Sequence, residues 1–471
     1  MGSDQCRLVF DVDEQFYALV GQRLLAGDLL YVDIWDRKPP ALYLLYSGLS
    51  LISRSFLFYH LAATLSAALG AYGIVRIAVR ITGRPGTLGG ILAGMAYLAL
   101  LNRFGGASGQ APVWFNTLMI YAAWTIVTRM EDVRAGRIDP VLASGMLSAG
   151  LAIAFKQSAA AECAFFGLWI AYHLVRSRCA PLRIARQIGV LALCGALPMA
   201  ITFAWYWHIG HFTELWHALV ESNYARTYAD NTERLRRLVA MFGQLGMPLV
   251  FAVLGWMALD RRERETAPVR FLVLWAIVAL LALAAFPNIY YHYALPVLLP
   301  LGTLCSVFFA RREIRYVALG VLVVVNLAYG NSFDLVSRYK AKRDTPAFVD
   351  YVRSEAPHRK LLVWGLPNYL YSLLETSPPS RLAFPPHFFE GAESGSSGID
   401  ERAELHRILA GKPEVVVVQK PLLARPLNQP NVDQIENYVR TCSRVKRFTI
   451  YDHNGAQGQV VYSACGAHPS R

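Results

Sequence analysis

Beyond residue 55 the chain reads as a series of apolar runs, each about 15–20 residues long and bounded by short polar clusters, the length that crosses a bilayer as a helix. The runs fall at Phe56–Val75, Thr87–Leu101, Val113–Thr128, Val141–Phe155, Ser158–Val175, Ile188–His208, Met241–Leu259, Phe271–Phe286, Tyr293–Ala310 and Val317–Ser332, which predicts about ten spans. An earlier run, Ala41–Ser53, has only about thirteen residues and suits a re-entrant or interfacial helix. After Phe333 the pattern changes. Thr345–Ser354 has the spacing of an amphipathic helix, Lys360–Gly365 that of a buried strand ending in a turn, Glu401–Ala410 of a helix and Glu414–Gln419 of a strand. Phe448–Asp452 and Gln459–Ser463 read as two strands joined around Asn454-Gly455. Strands alternating with helices predict a small α/β domain over 333–471, following a helical membrane domain over 56–332. Ser394–Ser397, flanked by glycines, predicts a mobile loop.

Composition turns this pattern into a class. With 55% hydrophobic and 17% charged residues in 471, the chain is too apolar for an ordinary soluble protein and reads as a polytopic α-helical membrane protein. Its net charge of +13 does not point to nucleic acid, because the arginines lie in short clusters between apolar runs. If Ala41–Ser53 does not cross, the clusters Arg76/Arg80/Arg84, Arg129/Arg134/Arg137, Arg176/Arg178/Arg183/Arg186, Arg261/Arg262/Arg264 and Arg311/Arg312/Arg315 fall on one side. That side is cytoplasmic, with anionic lipid head groups as its partner. The other side receives residues 1–55, the loop Asn102–Pro112, Lys156-Gln157, a long loop over Ile209–Arg237, Pro287–His292 and the tail; Arg226, Arg234, Arg236 and Arg237 in the long loop are exceptions. The seven cysteines show no metal or redox spacing. Cys163, Cys194 and Cys305 suit an apolar core, whereas Cys442 and Cys465, in the outward tail, are a candidate disulfide pair.

The densest polar chemistry precedes the helices. Asp11, Asp13, Glu14, Asp33 and Asp36 stand with Lys38-Pro39-Pro40 and the aromatics Tyr17, Tyr31 and Trp35 within the first forty residues. Charge beside a bilayer is costly unless it faces water or a charged ligand. A carboxylate there can take the proton of an acceptor hydroxyl, a lysine can neutralise a phosphate leaving group, and aromatic rings can stack on sugar faces.

Asp13-Glu14-x-x-Tyr17, Gly27, Tyr31, Asp33, Trp35-Asp36 and Lys38-Pro39-Pro40 resemble the first extracytoplasmic loop of GT-C glycosyltransferases. The likeness is to the bacterial branch of protein mannosyltransferase-like enzymes, lipid A aminoarabinose transferases and lipopolysaccharide-core transferases that use polyprenyl donors. Lys156-Gln157, Phe212 with Trp216, Asn223-Tyr224, Tyr290-Tyr291-His292-Tyr293 and Val363-Trp364-Gly365 with Tyr371 and Arg381 resemble later landmarks of that family, in the same order. The resemblance implies an inverting transferase at the outer face of a bacterial inner membrane, with a polyprenyl-phosphate sugar as donor and a cell-envelope acceptor. It assigns Asp13 as general base, Glu14 as an orienting carboxylate and Lys38 as the contact to the lipid phosphate. Tyr31, Asp33, Trp35, Asp36, Gln110, Asn116, Lys156, His292, Tyr293 and Arg381 become candidates for substrate binding, whereas Tyr17 suits helix packing.

Two departures qualify this. The family carries a span ahead of the acidic loop, whereas only Met1–Phe10 precede it here, so a first span is expected to be missing through a late start or a truncated chain. Many relatives also place an acidic residue where this chain has Gln110-Ala111-Pro112-Val113-Trp114-Phe115-Asn116, which makes a divalent metal doubtful and Gln110 or Asn116 a weaker substitute. A flippase for a lipid-linked saccharide and a catalytically silent partner protein are the competing readings. The clustering of polar residues in loops on one face, without a visible inverted repeat, separates the transferase from the transporter.

Overall fold

The computed structural model describes residues 11–228, 230–329, 335–365, 367–422, 426–452 and 455–466. Met1–Phe10, Asn454 and the end of the Val317–Ser332 run lie outside them. The chain forms two compact units, one of Met1–His60, Trp205–Tyr228 and Asp334–Arg471, the other of Leu61–Ala204 and Ala229–Phe333.

The second unit is helical. Five described helices are long and apolar enough to cross a membrane: Phe56–Thr82, Pro85–Arg103, Gln157–Val175, Pro181–His208 and Ala267–Ala285. Asn231–Gln244 and Gly246–Ala258, bent by 55°, make a sixth if they form one broken span. The remaining expected runs are helical but short. Pro140–Phe155 and Leu298–Arg311 have 16 and 14 residues, which at about 1.5 Å per residue fall short of a hydrocarbon core about 30 Å thick, and Arg315–Tyr329 is helical to the end of the described residues there. Ala111–Arg134 is longer, yet it ends in Arg129, Glu131, Asp132 and Arg134, so its uncharged part stops at Thr128. Small residues bring these helices close. At Gly89 a Cβ would meet the Ser306 carbonyl oxygen at 2.2 Å, so Pro85–Arg103 and Leu298–Arg311 pack backbone to backbone.

The arginines that break the charge rule in this unit are committed locally. Arg236 and Arg237 both pair with Glu233. Arg234 donates to the carbonyls of Ala284 and Phe286 at the end of Ala267–Ala285, where helix carbonyls lack partners and attract cations.

The first unit begins with helix Val12–Leu25. Asp11 caps it, its carboxylate accepting from the backbone N–H of Asp13 at 3.0 Å and Glu14 at 3.3 Å, so two acidic residues sit in the turn where the helix dipole favours them. Helix Ala41–Ile52 packs against it at Gly21, where a Cβ would lie 2.7 Å from the Ser47 nitrogen and only glycine fits. Ser47 Oγ also donates to the Gly21 carbonyl at 3.0 Å.

The tail supplies a four-stranded sheet of β1 (Leu361–Trp364), β2 (Val415–Gln419), β3 (Cys442–Asp452) and β4 (Gly455–Cys465), in the order β1-β2-β4-β3. β1 pairs parallel to β2, with Leu361 opposite Val415, and β4 runs antiparallel to both β2 and β3. β1 and β2 are buried along their whole length, as their unbroken apolar sequences require. β3 extends six residues N-terminal to its predicted start, through Cys442-Ser443-Arg444-Val445-Lys446-Arg447; it is an edge strand, where basic side chains are at home. Cys442 and Cys465, opposite each other in the hairpin, form a disulfide. Helices Leu335–Glu355, Tyr369–Leu373, Pro386–Phe389, Glu401–Ala410 and Gln429–Val439 complete the tail. The last was not read from the sequence, although Val432, Ile435 and Val439 bury one face of it.

Candidate functional site

In the first unit a single loop after Val12–Leu25 carries most of the chemistry. Tyr31 adopts φ 72°, a left-handed conformation that turns the loop back so that its backbone N–H reaches the Ile34 carbonyl at 2.7 Å. Its hydroxyl donates to the Lys38 carbonyl at 2.8 Å. These bonds hold Asp36 inside, 2% exposed. Lys38 Nζ donates to the Asp36 carboxylate at 2.9 Å and lies 5.2 Å from the centre of the Tyr17 ring. The Tyr43 hydroxyl donates to the same carboxylate oxygen. Burial alone would raise the pKa of Asp36, but Lys38 and the Tyr43 hydroxyl reverse the sign and hold it below the usual carboxylate range. The Tyr17 phenol is pushed well up, first by burial and then by the charges of Asp13 and Asp36, so Tyr17 stands where the fields of both carboxylates reach. It is also 1% exposed, as its packing role requires. Glu14 is buried and lies 3.2 Å from His60 Nε2.

A second cluster joins the same loop to the tail and to the segment around residue 226. Arg37 donates to Glu393 Oε2 at 2.5 Å and to the Ser396 hydroxyl at 3.0 Å, while Arg226 reaches Glu393 Oε1 at 2.5 Å. His387 Nδ1 is 3.6 Å from Glu393, and its ring meets Trp35 edge to face. Burial would raise Glu393, yet His387, Arg37 and Arg226 hold it far below the carboxylate range. Glu390, three residues earlier, has no side-chain hydrogen bond or ion pair among the described residues. Burial, then the Glu393 charge, and more weakly Asp13, push it up to about 7 against the pull of Arg226 and Arg37. The Ser394–Ser397 segment is therefore not the mobile loop its composition predicts. Ser396 and Ser397 are buried, Gly395 N–H donates to Glu401 at 2.7 Å, and the Ala392 carbonyl accepts from Thr227.

Asp33 and Arg381 belong to the same unit but line a different, open cleft with Arg23, Asp28, Ser377 and Arg407; none of Asp13, Glu14, Asp36 or Lys38 lines it.

The other sequence candidates lie in the second unit. Asn116, fully buried, donates to the Leu295 carbonyl at 2.9 Å and sits 3.5 Å from the Tyr97 hydroxyl; it ties helices together. Gln110 precedes Ala111–Arg134 at its N-cap and is buried. Lys156 ends Pro140–Phe155 and places Nζ 4.6 Å from the centre of the Tyr293 ring. Lys156, Tyr293 and Glu162 line one small cleft. The ring of His292 stacks on Tyr290 and meets Tyr293 edge to face. Among the described residues no three His, Cys, Asp or Glu side chains group as a metal site.

No protein-family model matches the chain, and no curated protein does. Solved structures do. Over 99% of this chain and 96% of the other, it resembles the crystal structure of ArnT from Cupriavidus metallidurans bound to undecaprenyl phosphate, with a TM-score of 0.61 at 15% identity. The apo state of the same ArnT matches 98% of this chain and 95% of its own, with a TM-score of 0.60 at 15% identity. The chain shares the fold of that ArnT.

Three groups of the first unit's cluster and one of the second unit's small cleft went unread in the sequence. Arg226 carried a signal, being an arginine on the wrong side of the charge pattern. Glu162 carried one too, a carboxylate inside an apolar run; it is 3% exposed and accepts from the Trp275 indole N–H. Glu390 and Glu393 carried none, because the arginines whose charges act on them, Arg37 and Arg226, come from segments far away in the chain.

Proposed function

We propose that the chain is an inverting glycosyltransferase, moving a sugar from a polyprenyl-phosphate donor to a cell-envelope acceptor at the outer face of a bacterial cytoplasmic membrane. The observation that carries this reading is the loop Tyr31–Lys38, which holds a lysine, a buried carboxylate and a partly buried arginine in the unit that begins with the acidic turn of Val12–Leu25. The likeness in fold to a protein solved with undecaprenyl phosphate supports the donor class.

The chemistry needs a base and a cation. Asp13 takes the proton of the acceptor hydroxyl as its oxygen attacks the anomeric carbon from the face opposite the phosphate. The glycosidic C–O bond breaks, its electron pair leaves with the polyprenyl phosphate, and the configuration inverts. Lys38 stabilises the charge developing on that phosphate. It has three N–H donors and gives one to Asp36, so donors remain for a phosphate oxygen. Asp36 and the Tyr17 ring hold the ammonium in place, and Glu14, fixed near His60, orients the helix turn that bears Asp13. The arginine clusters between spans support a cytoplasmic side opposite this site, and the Cys442–Cys465 disulfide suits an oxidising compartment.

The test is release of undecaprenyl phosphate from labelled undecaprenyl-phosphate sugars by membranes containing the protein and envelope acceptors. Asp13→Asn is expected to slow release by about 10²–10⁴-fold at unchanged folded yield; retained release overturns the assignment of the base. Lys38→Ala is expected to raise the apparent donor KM by about tenfold, and an unchanged KM removes its phosphate role.

A further inference from the structure

The open cleft lined by Asp33 and Arg381 is assigned no task by the reaction above. Two of its walls are fixed by bidentate pairs. Arg23 holds Asp28 through two bonds of 2.8 Å, and Arg407 holds Glu404 at 2.8 and 2.7 Å while also donating to the Pro379 carbonyl at 2.9 Å. The groups between these walls are uncommitted. Arg381 has no side-chain hydrogen bond or ion pair among the described residues, and neither has the Ser377 hydroxyl. Asp33 accepts the Leu29 N–H on Oδ2 at 2.8 Å, leaving Oδ1 open. Pro378 and Pro379 add apolar surface without N–H donors.

The balance of charge identifies the ligand class. Of the lining charges, Arg23 is neutralised by Asp28 and Arg407 by Glu404, which does not itself line the cleft; that leaves Arg381 against Asp33, so the cleft has no excess positive charge with which to hold a phosphate. It offers instead a planar donor, a planar acceptor and a hydroxyl beside an apolar patch. That set matches a ligand that donates and accepts through neighbouring hydroxyls and has a hydrophobic C–H face, which is a saccharide. The cleft is also tied to the reactive loop. The Trp35 N–H donates to the Arg381 carbonyl at 2.8 Å, and Asp33 is three residues before Asp36.

We propose that this cleft binds the saccharide portion of the acceptor, with Arg381 and Asp33 hydrogen-bonding its hydroxyls; the inference rests on the glycosyl-transfer reading above. The test is saturation-transfer NMR on the purified full chain in detergent, with the methyl glycosides of glucose, galactose, glucosamine and N-acetylglucosamine as probes. Transfer to at least one glycoside is expected, unaffected by equimolar inorganic phosphate and weakened by about tenfold in affinity by Arg381→Ala and by Asp33→Ala. Asp33→Asn carries the test if loss of the Leu29 contact prevents the alanine variant from folding. Absence of transfer to every glycoside, transfer that survives both substitutions, or displacement by phosphate overturns the proposal. Asp13→Asn is expected to leave the glycoside signal intact while stopping undecaprenyl phosphate release, so failure of the cleft and failure of the transferase reading give different results.

Discussion

Polar groups in the two units are held in different ways. In the first unit Asp36, Lys38, Arg37, Arg226 and Glu393 are charged side chains satisfied by one another, each within a few residues of a turn or helix end. In the second unit Asn116 and Glu162 are polar groups on helices that meet neutral partners, a backbone carbonyl and an indole N–H, and Lys156, at a helix end, lies over an aromatic ring. An ion-pair network in a buried position costs desolvation that well-packed apolar residues would avoid, so its presence in one unit marks where the chain handles charge. Isolated polar contacts between helices, by contrast, are a common way to join helices in lipid. The difference separates a region built around charged chemistry from one built around packing.

The comparison breaks first at Arg37. Removing it leaves Glu393 to Arg226 and His387 alone, and breaking a buried ion pair costs about 4 kcal/mol. Arg37→Ala is therefore expected to lower the unfolding free energy in detergent by that order, far more than any single polar substitution in the second unit. Equal losses in both units would erase the distinction.

Glu390 tests the same network through pH. Its pKa in the folded protein is about 7, raised from an ordinary 4.5 by burial and by Glu393. A raised carboxyl means the folded state keeps its proton where the unfolded state has lost it. Folding thus takes up a proton between about pH 4.5 and 7, and stability falls as pH rises through that window, by about 3 kcal/mol in all. Glu390→Gln is expected to flatten this part of the stability curve and to leave the variant more stable than the parent at pH 8. An unchanged slope would show that Glu390 does not feel the network.

In the second unit the largest effect is expected at Trp275→Phe, which strands the buried Glu162 carboxylate without its donor, at a cost of about 2 kcal/mol. Trp275→Phe with Glu162→Leu should recover most of that loss, since an apolar pair needs no donor. If the double variant is no better than the single one, the contact is packing alone.

What the sequence disclosed follows the same division. The acidic turn, Lys38 and the strands of the tail were legible because each is a local pattern: a charge run beside apolar helices, or a short apolar run bounded by turns. The role of Asn116 was not, because a buried amide that joins two helices and one that meets a substrate look alike in a linear chain. Glu393 was hidden for the opposite reason. Its partners Arg37 and Arg226 come from segments far apart in the chain, and Ser394-Gly395-Ser396-Ser397 has the composition of a flexible loop until those arginines pin it. The short helices Pro140–Phe155 and Leu298–Arg311 show a third limit, since hydropathy locates an apolar run but does not fix how many of its residues stay helical.

The smallest effect belongs to the contact between Lys156 and Tyr293. A cation 4.6 Å from a ring centre contributes about 1 kcal/mol through the ring quadrupole where it is partly shielded from water. Tyr293→Phe keeps the ring face and should change stability little, whereas Tyr293→Leu removes it and should cost about 1 kcal/mol. Lys156→Met and Tyr293→Leu combined should cost less than the sum of their separate costs, because both delete that one contact. Additive losses would mean that the ring contact carries no energy, and a large cost of Lys156→Met beside them would mean that Lys156 acts through a charged partner instead. In that event the second unit, too, would handle charge, and the contrast with the Arg37–Glu393–Arg226 network would narrow to one of degree.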